Sequence, residues 1–428
     1  MVSRASDDRQ NSGLSLLLGG LAAFAVYFAM YAFRKPFAAA TYVDVAGWHG
    51  AIDYKTALLI AQVVGYALSK LIGVRVIAEA GRDARERLIL MLIAASWIAL
   101  ILFAVIPAPW NVVCMFLNGL PLGLIWGLVF SYVEGRRASE LLGAMLCASF
   151  ILSSGVVKSV ATLLIEAGVS EWWMPAATGL AITPLLIVAL WQLERLPPPD
   201  ARDRAERVER VPMSAAERVA FWRAHGRTLA MLVLAYTLLT AMRDVRDNFS
   251  AEIWASLGYG GQATLFTLSE LPVALVTLGV LAALMLVRDN RRALLLMHGL
   301  IAAGAAILGA ATLAFQAGML SPLAWMSLTG AGLYLAYTPF NAMLFDRMIA
   351  AIGTAANAGF LIYVADSSGY AGSVALLLAR SVAAPHVEWL RFFERCSYAT
   401  ALVVLVLTGL SALRFLSAPL KGRRHATI

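Results

Sequence analysis

The chain is 428 residues long, 61% hydrophobic and 14% charged, against about 25% charged residues in an ordinary soluble domain. That balance excludes a water-soluble globular protein, and it recasts the net charge of +8: the basic residues fall in short breaks between apolar runs, where they set membrane topology instead of binding nucleic acid. Cys114, Cys147 and Cys396 lie in or beside apolar runs with no CxxC and no histidine at ligand spacing, so no disulfide framework, metal site or cofactor is implied.

A helix needs roughly 20 apolar residues to cross the hydrocarbon core, and by that measure twelve spans are predicted. The first six are Leu14–Thr41, Lys55–Val76, Leu88–Ile106, Trp110–Val133, Leu141–Ile165 and Trp172–Leu193. The run ending at Phe37-Ala-Ala-Ala40 resembles a signal cleavage site, but it is too long for a signal peptide and follows Asp7 and Asp8, so the first span is expected to be retained. The polar stretch Glu194–Arg227, with Pro197-Pro-Pro199 and alternating acids and bases, reads as a cytoplasmic linker with a solvated surface. Spans seven to twelve are Thr228–Trp254, Gln262–Val287, Ala293–Phe315, Pro322–Phe345, Ala355–Leu378 and Tyr398–Leu416. The expected organisation is therefore an all-α integral membrane protein with a six-helix bundle at 1–193, a linker at 194–227 and a second bundle at 228–428. Lipid offers no partner for free backbone groups, which requires helices.

The positive-inside rule places both termini in the cytoplasm, together with Arg82, Arg85, Arg87, Arg136, Arg137, Arg288, Arg291, Arg292, Arg347, Arg423 and Arg424. Lys55, Arg380, Arg391 and Arg395 depart from that rule, and Pro385–Arg395 is expected as an amphipathic stretch on the outer surface. The two halves echo each other. Arg34-Lys-Pro-Phe37 returns as Arg246-Asp-Asn-Phe249, Ser153-Ser-Gly155 as Ser367-Ser-Gly369, and Gly119-x-x-Leu-x-Leu-x-Trp126 as Gly330-x-x-Leu-x-Leu-x-Tyr337. A common offset of roughly 210 residues points to a 6+6 duplication.

A charge at mid-membrane costs about 2.5–3.5 kcal/mol on insertion scales, so each one marks a functional candidate. If the first span continues through Thr41, Arg34 and Lys35 lie within the membrane, with Tyr27 and Tyr31 on the face of Arg34. Span seven repeats the pattern with Tyr236, Arg243 and Arg246. The Tyr–Arg spacing pairs Arg34 with Arg243, whereas the Arg-x-x-Phe echo pairs it with Arg246. Two guanidinium groups facing each other clamp a phosphate or carboxylate, because each offers two parallel N–H donors; against this, Arg243 and Arg246 could simply pair with Asp244 and Asp247. By depth, Lys158 is matched to Glu270 in the outer half and Lys70 to Asp366 in the inner half, as gating ion pairs or proton-titrating sites, with Lys70 as an alternative third ligand for the anion. His298 is expected to be a packed histidine.

Tyr31-Ala-Phe-Arg34-Lys35-Pro-Phe37 resembles the first-helix signature of the organophosphate:phosphate antiporters, the glycerol-phosphate and hexose-phosphate transporters. Tyr66-Ala-Leu-Ser69-Lys70 resembles their second helix, and Arg243 followed by Asn248-Phe249-Ser250 their seventh. The resemblance implies the major facilitator fold, rocker-switch access, exchange against inorganic phosphate, and a phosphate clasped by Arg34 and Arg243 with help from Lys70. Where that family carries a histidine in its fifth helix, this chain has serines and Lys158, and Arg246 is an additional arginine. The expected function is secondary transport of a small anionic metabolite by a monomer of the bacterial inner membrane, with phosphate or protons as coupling species. The alternatives are a membrane sensor of such an anion and a proton-coupled exporter; no residue cluster supports an enzyme.

Overall fold

The computed structural model describes residues 2–79, 82–133, 139–196, 215–352 and 358–417. Among them stand α1 (Val2–Tyr31), α2 (Tyr54–Glu79), α3 (Arg82–Val105), α4 (Asn111–Val133), α5 (Ser139–Glu166) and α6 (Met174–Glu194). Then follow α7 (Ala215–Asn248), α8 (Ser250–Ser256), α9 (Ala263–Met285), α10 (Asn290–Gln316), α11 (Pro322–Ala342), α12 (Leu344–Ile352), α13 (Ala358–Ala383) and α14 (Trp389–Ser417). The architecture is all-helical among the described residues.

Nine of these helices, α3 to α7, α9, α10, α13 and α14, are individually long and apolar enough to cross a membrane among the described residues. The three other expected spans fall on α1, which carries the apolar run Leu17–Tyr31, on α2, and on α11, where Tyr334, Tyr337 and Thr338 interrupt the apolar residues. Leu180, Ile187 and Val188 on α6 and Leu402, Val406 and Leu413 on α14 are exposed, as suits surfaces whose solvent is lipid.

Several boundaries differ from expectation. The first helix does not continue through Thr41. It stops at Tyr31, and after a turn the chain forms a 3-10 segment, Pro36–Ala39, because Pro36 has no N–H to donate and its ring crowds the carbonyl one turn earlier. The carbonyls freed by the break are met by side chains: Asn118 Nδ2 donates to Phe33 O at 2.9 Å and Gln62 Nε2 to Arg34 O at 2.9 Å. Span seven also breaks, at Phe249 between α7 and α8, but later in the repeat than α1 does at Tyr31. The residues 215–227, expected as linker, form the first turns of α7, while 197–214, including the proline run, lie outside the described residues, as do Arg136, Arg137, Arg423 and Arg424. The segment from Trp389 is not a surface-lying stretch. It opens the 29-residue α14, with Phe392 and Phe393 buried.

Packing brings the early and late helices together. α2 lies against α4, where a side chain on Gly65 would strike the main chain at Phe116 and one on Gly119 the main chain at Gln62; small residues permit this approach. α5 runs along α9, and α2 meets α13. Those two contacts carry the charges described next.

Candidate functional site

An unbroken arc of contacts joins Arg34 to Arg243 through the middle of the bundle. The Arg34 guanidinium lies 4.0 Å from the Tyr66 ring centroid and 5.7 Å from that of Tyr31, which packs edge-on to Tyr27 at 5.6 Å. Tyr66 meets Tyr370 at 5.7 Å, and the Lys70 ammonium sits 5.5 and 5.1 Å from those two rings. Lys70 Nζ is 2.6 Å from Asp366 Oδ2, whose other oxygen accepts from the Tyr236 hydroxyl at 2.5 Å. Tyr236 stacks on Tyr337 at 5.1 Å, and the Arg243 guanidinium lies 4.2 Å from the Tyr337 centroid. Arg34, Lys70, Arg243 and Asp366 all keep partial exposure inside the bundle, so they border space that solvent can reach.

The two arginines of α7 separate clearly. Arg246 is fully enclosed: Nη1 donates to Glu270 Oε1 at 2.6 Å and Nη2 to Met326 O at 2.7 Å, with Gly330 bare of a side chain against the guanidinium. Arg243 pairs with its neighbour Asp244 at 2.8 Å, an acid also held by Ser373 at 2.7 Å. Arg34 has no carboxylate partner among the described residues, and its Nε has no hydrogen-bond partner.

Two expected pairings change. Lys158 does not meet Glu270, which Arg246 occupies. It binds Asp247 instead, with Nζ 2.8 Å from Oδ1, 2.8 Å from the main-chain oxygen and 3.0 Å from Ser250 Oγ. Asp247 also receives Lys35 at 2.5 Å and the Ser154 hydroxyl, while Lys35 donates to Asn248 Oδ1 at 2.6 Å. Asp247 is therefore not the partner of Arg246, and the match by depth that would place Lys158 beside Glu270 says nothing of which side of α5 its side chain faces. Lys70 and Asp366 do meet. His298 is packed, hydrogen-bonded to Leu294 O at 2.8 Å and Ser411 at 2.9 Å.

Tyr66, Tyr337 and Tyr370 complete the arc without having been singled out as binding residues. A signal existed: Tyr66 precedes Lys70 by one helical turn and Tyr370 follows Asp366 by one, which puts each ring on the face of its charge. The cluster of Arg34, Lys35, Lys70, Lys158, Arg243 and Arg246 against Asp244, Asp247, Glu270 and Asp366 sets six cations against four carboxylates, leaving two positive charges uncompensated in a low-dielectric interior.

The site is thus a basic, tyrosine-lined interior enclosed by a bundle of apolar helices. The chain belongs to the family of unknown function DUF5690, whose model matches residues 36–417. No curated protein matches it in sequence. Among solved structures it is similar to a bacterial homologue of the human drug peptide transporters PepT1 and PepT2, at 15% identity and a TM-score of 0.60 over 94% of this chain and 97% of that one. It is also similar to a D-xylose-proton symporter, at 13% identity and a TM-score of 0.59 over 94% and 96% of the two chains.

Proposed function

We propose that the protein is a secondary transporter of a small anionic metabolite, a phosphate ester by preference, working by alternating access between the bundles 1–193 and 228–428. The observation that carries this is Arg34: a partly exposed guanidinium with no carboxylate partner among the described residues, on one arc with Arg243, in a cluster whose named cations exceed its carboxylates by two. A dianion would supply the missing charge and accept from both arginines. Lys70 is then the third cation, held until substrate arrives by Asp366, and Tyr27, Tyr31 and Tyr236 are the hydroxyl-bearing walls. In this scheme Arg246 serves structure, since Glu270 and Met326 O hold its two terminal nitrogens. The resemblance of the first, second and seventh spans to the organophosphate:phosphate antiporters supports inorganic phosphate as counter-substrate, with the termini in the cytoplasm of a bacterial inner membrane.

Proteoliposomes loaded with inorganic phosphate test it. Labelled phosphate should enter by saturable counterflow, be inhibited by phosphate esters, and fail to enter with Arg34→Ala or Arg243→Ala. Unchanged counterflow in both variants would remove the clamp, and anion binding without flux would assign the protein to sensing.

A further inference from the structure

Lys55 and Arg380 are two of the four cations that depart from the topology rule, and the structure uses both at one place. At the end formed by residues 40–53, a cavity of about 830 Å³ is lined by Trp48, Asp53, Lys55, Glu252, Arg380 and Trp389 among others. Lys55 Nζ lies 2.7 and 2.9 Å from the two Glu252 oxygens and donates to Ala38 O at 2.8 Å. Arg380 pairs with Asp53 and donates to Val387 O at 2.9 Å. Between the two pairs runs a stack: the Arg380 guanidinium lies 3.9 Å from the Trp389 centroid, Trp389 lies 3.3 Å from Phe249, and Lys55 sits 5.5 Å from the Phe249 ring.

Asp53 and Lys55 flank the start of α2, whereas Glu252, Arg380 and Trp389 come from α8, α13 and α14. Each pair thus ties an early helix to the late ones, and the stack makes them one unit. Both cations are buried, at 3% and 5% of their side-chain surface, while Glu252 is 16% and Asp53 53% exposed. A buried cation resists losing its partner, yet acids already touching water are readily resolvated, so the closed arrangement is firm and reversible. We propose that Asp53, Lys55, Glu252 and Arg380 form a latch that holds this end shut, distinct from the Lys35–Asp247–Lys158 cluster one turn deeper. It rests on the alternating-access reading above.

Thr56, fully buried beside the latch, is the reporter. Full-length protein in nanodiscs, carrying Cys114→Ala, Cys147→Ala, Cys396→Ala and Thr56→Cys, is timed for maleimide labelling. The near-isosteric Asp53→Asn and Glu252→Gln should each raise the labelling rate about tenfold, since each leaves a buried cation unpaired. The swap of Lys55→Glu with Glu252→Lys should return it toward the slow rate. Slow labelling in both single variants, or a swap that labels as fast as Glu252→Gln, overturns the latch. Labelling needs no substrate, so faster labelling without phosphate counterflow removes the transport reading and keeps the latch; slow labelling with intact counterflow does the reverse.

Discussion

The two arginines of α7 are adjacent on one helix face, and they should fail in opposite ways. Arg246 and Glu270 are 2% and 6% exposed and 2.6 Å apart, so Arg246→Gln leaves a carboxylate buried without its cation, a change that costs about 3–5 kcal/mol. Replacing both with apolar residues, Arg246→Met with Glu270→Leu, should recover most of that loss, because a buried pair is worth little more than well-packed hydrophobic side chains. Arg243 and Asp244 are each 15% exposed, water screens the pair, and Arg243→Gln should cost under about 1.5 kcal/mol. Function should run the other way. Two charge-assisted hydrogen bonds to an oxyanion contribute about 1.5–3 kcal/mol, so Arg243→Gln should weaken phosphate-ester binding roughly 10- to 100-fold. Unfolding midpoints and ligand titrations on one set of detergent-solubilised proteins give both quantities. An Arg246→Gln protein that unfolds with the wild type yet binds no phosphate ester would refute the assignment and exchange the roles.

Further outcomes follow from the other charges. Asp366→Asn removes a negative charge beside Lys70 and should tighten phosphate binding about threefold or more, which a phosphate titration reads directly. Asp247→Asn leaves Lys35 and Lys158 sharing a neutral amide and should lower the unfolding midpoint by more than Asp244→Asn, since Asp247 holds two buried ammonium groups. Asn118 donates to Phe33 O at 2.9 Å and Ser96 Oγ at 2.7 Å and accepts from Gln62 at 2.7 Å. Asn118→Leu should therefore cost about 2–3 kcal/mol of stability by stranding those groups, measured by denaturant unfolding.

The helical membrane fold was legible because it depends on averages over roughly 20 residues, which survive local exceptions. The inward charges did not hide the spans: α7, which carries Tyr236, Arg243 and Arg246, is still long and apolar enough to cross a membrane. Local breaks were harder. Pro36 was visible, but whether it bends the helix or ends it depends on what receives the freed carbonyls, and Asn118 and Gln62 lie 85 and 28 residues from the carbonyls they serve.

The duplication shows why burial was readable and pairing was not. The echo aligns Arg34-Lys35 with Arg246-Asp247, and both spans break near it, α1 at Tyr31 and α7 at Asn248. The aligned Lys35 and Asp247 then bind each other across the repeat at 2.5 Å, a contact that a pseudo-two-fold axis allows wherever equivalent positions approach it. The aligned arginines took different partners, Arg246 a glutamate from α9 and Arg34 no carboxylate among the described residues. A repeat fixes where a residue stands on its helix; which neighbour meets it depends on residues outside the echo, Glu270 in one half and Tyr66 in the other. On the proposed reading, the arginine that meets aromatic rings in place of a carboxylate is the one that binds an anion from solution.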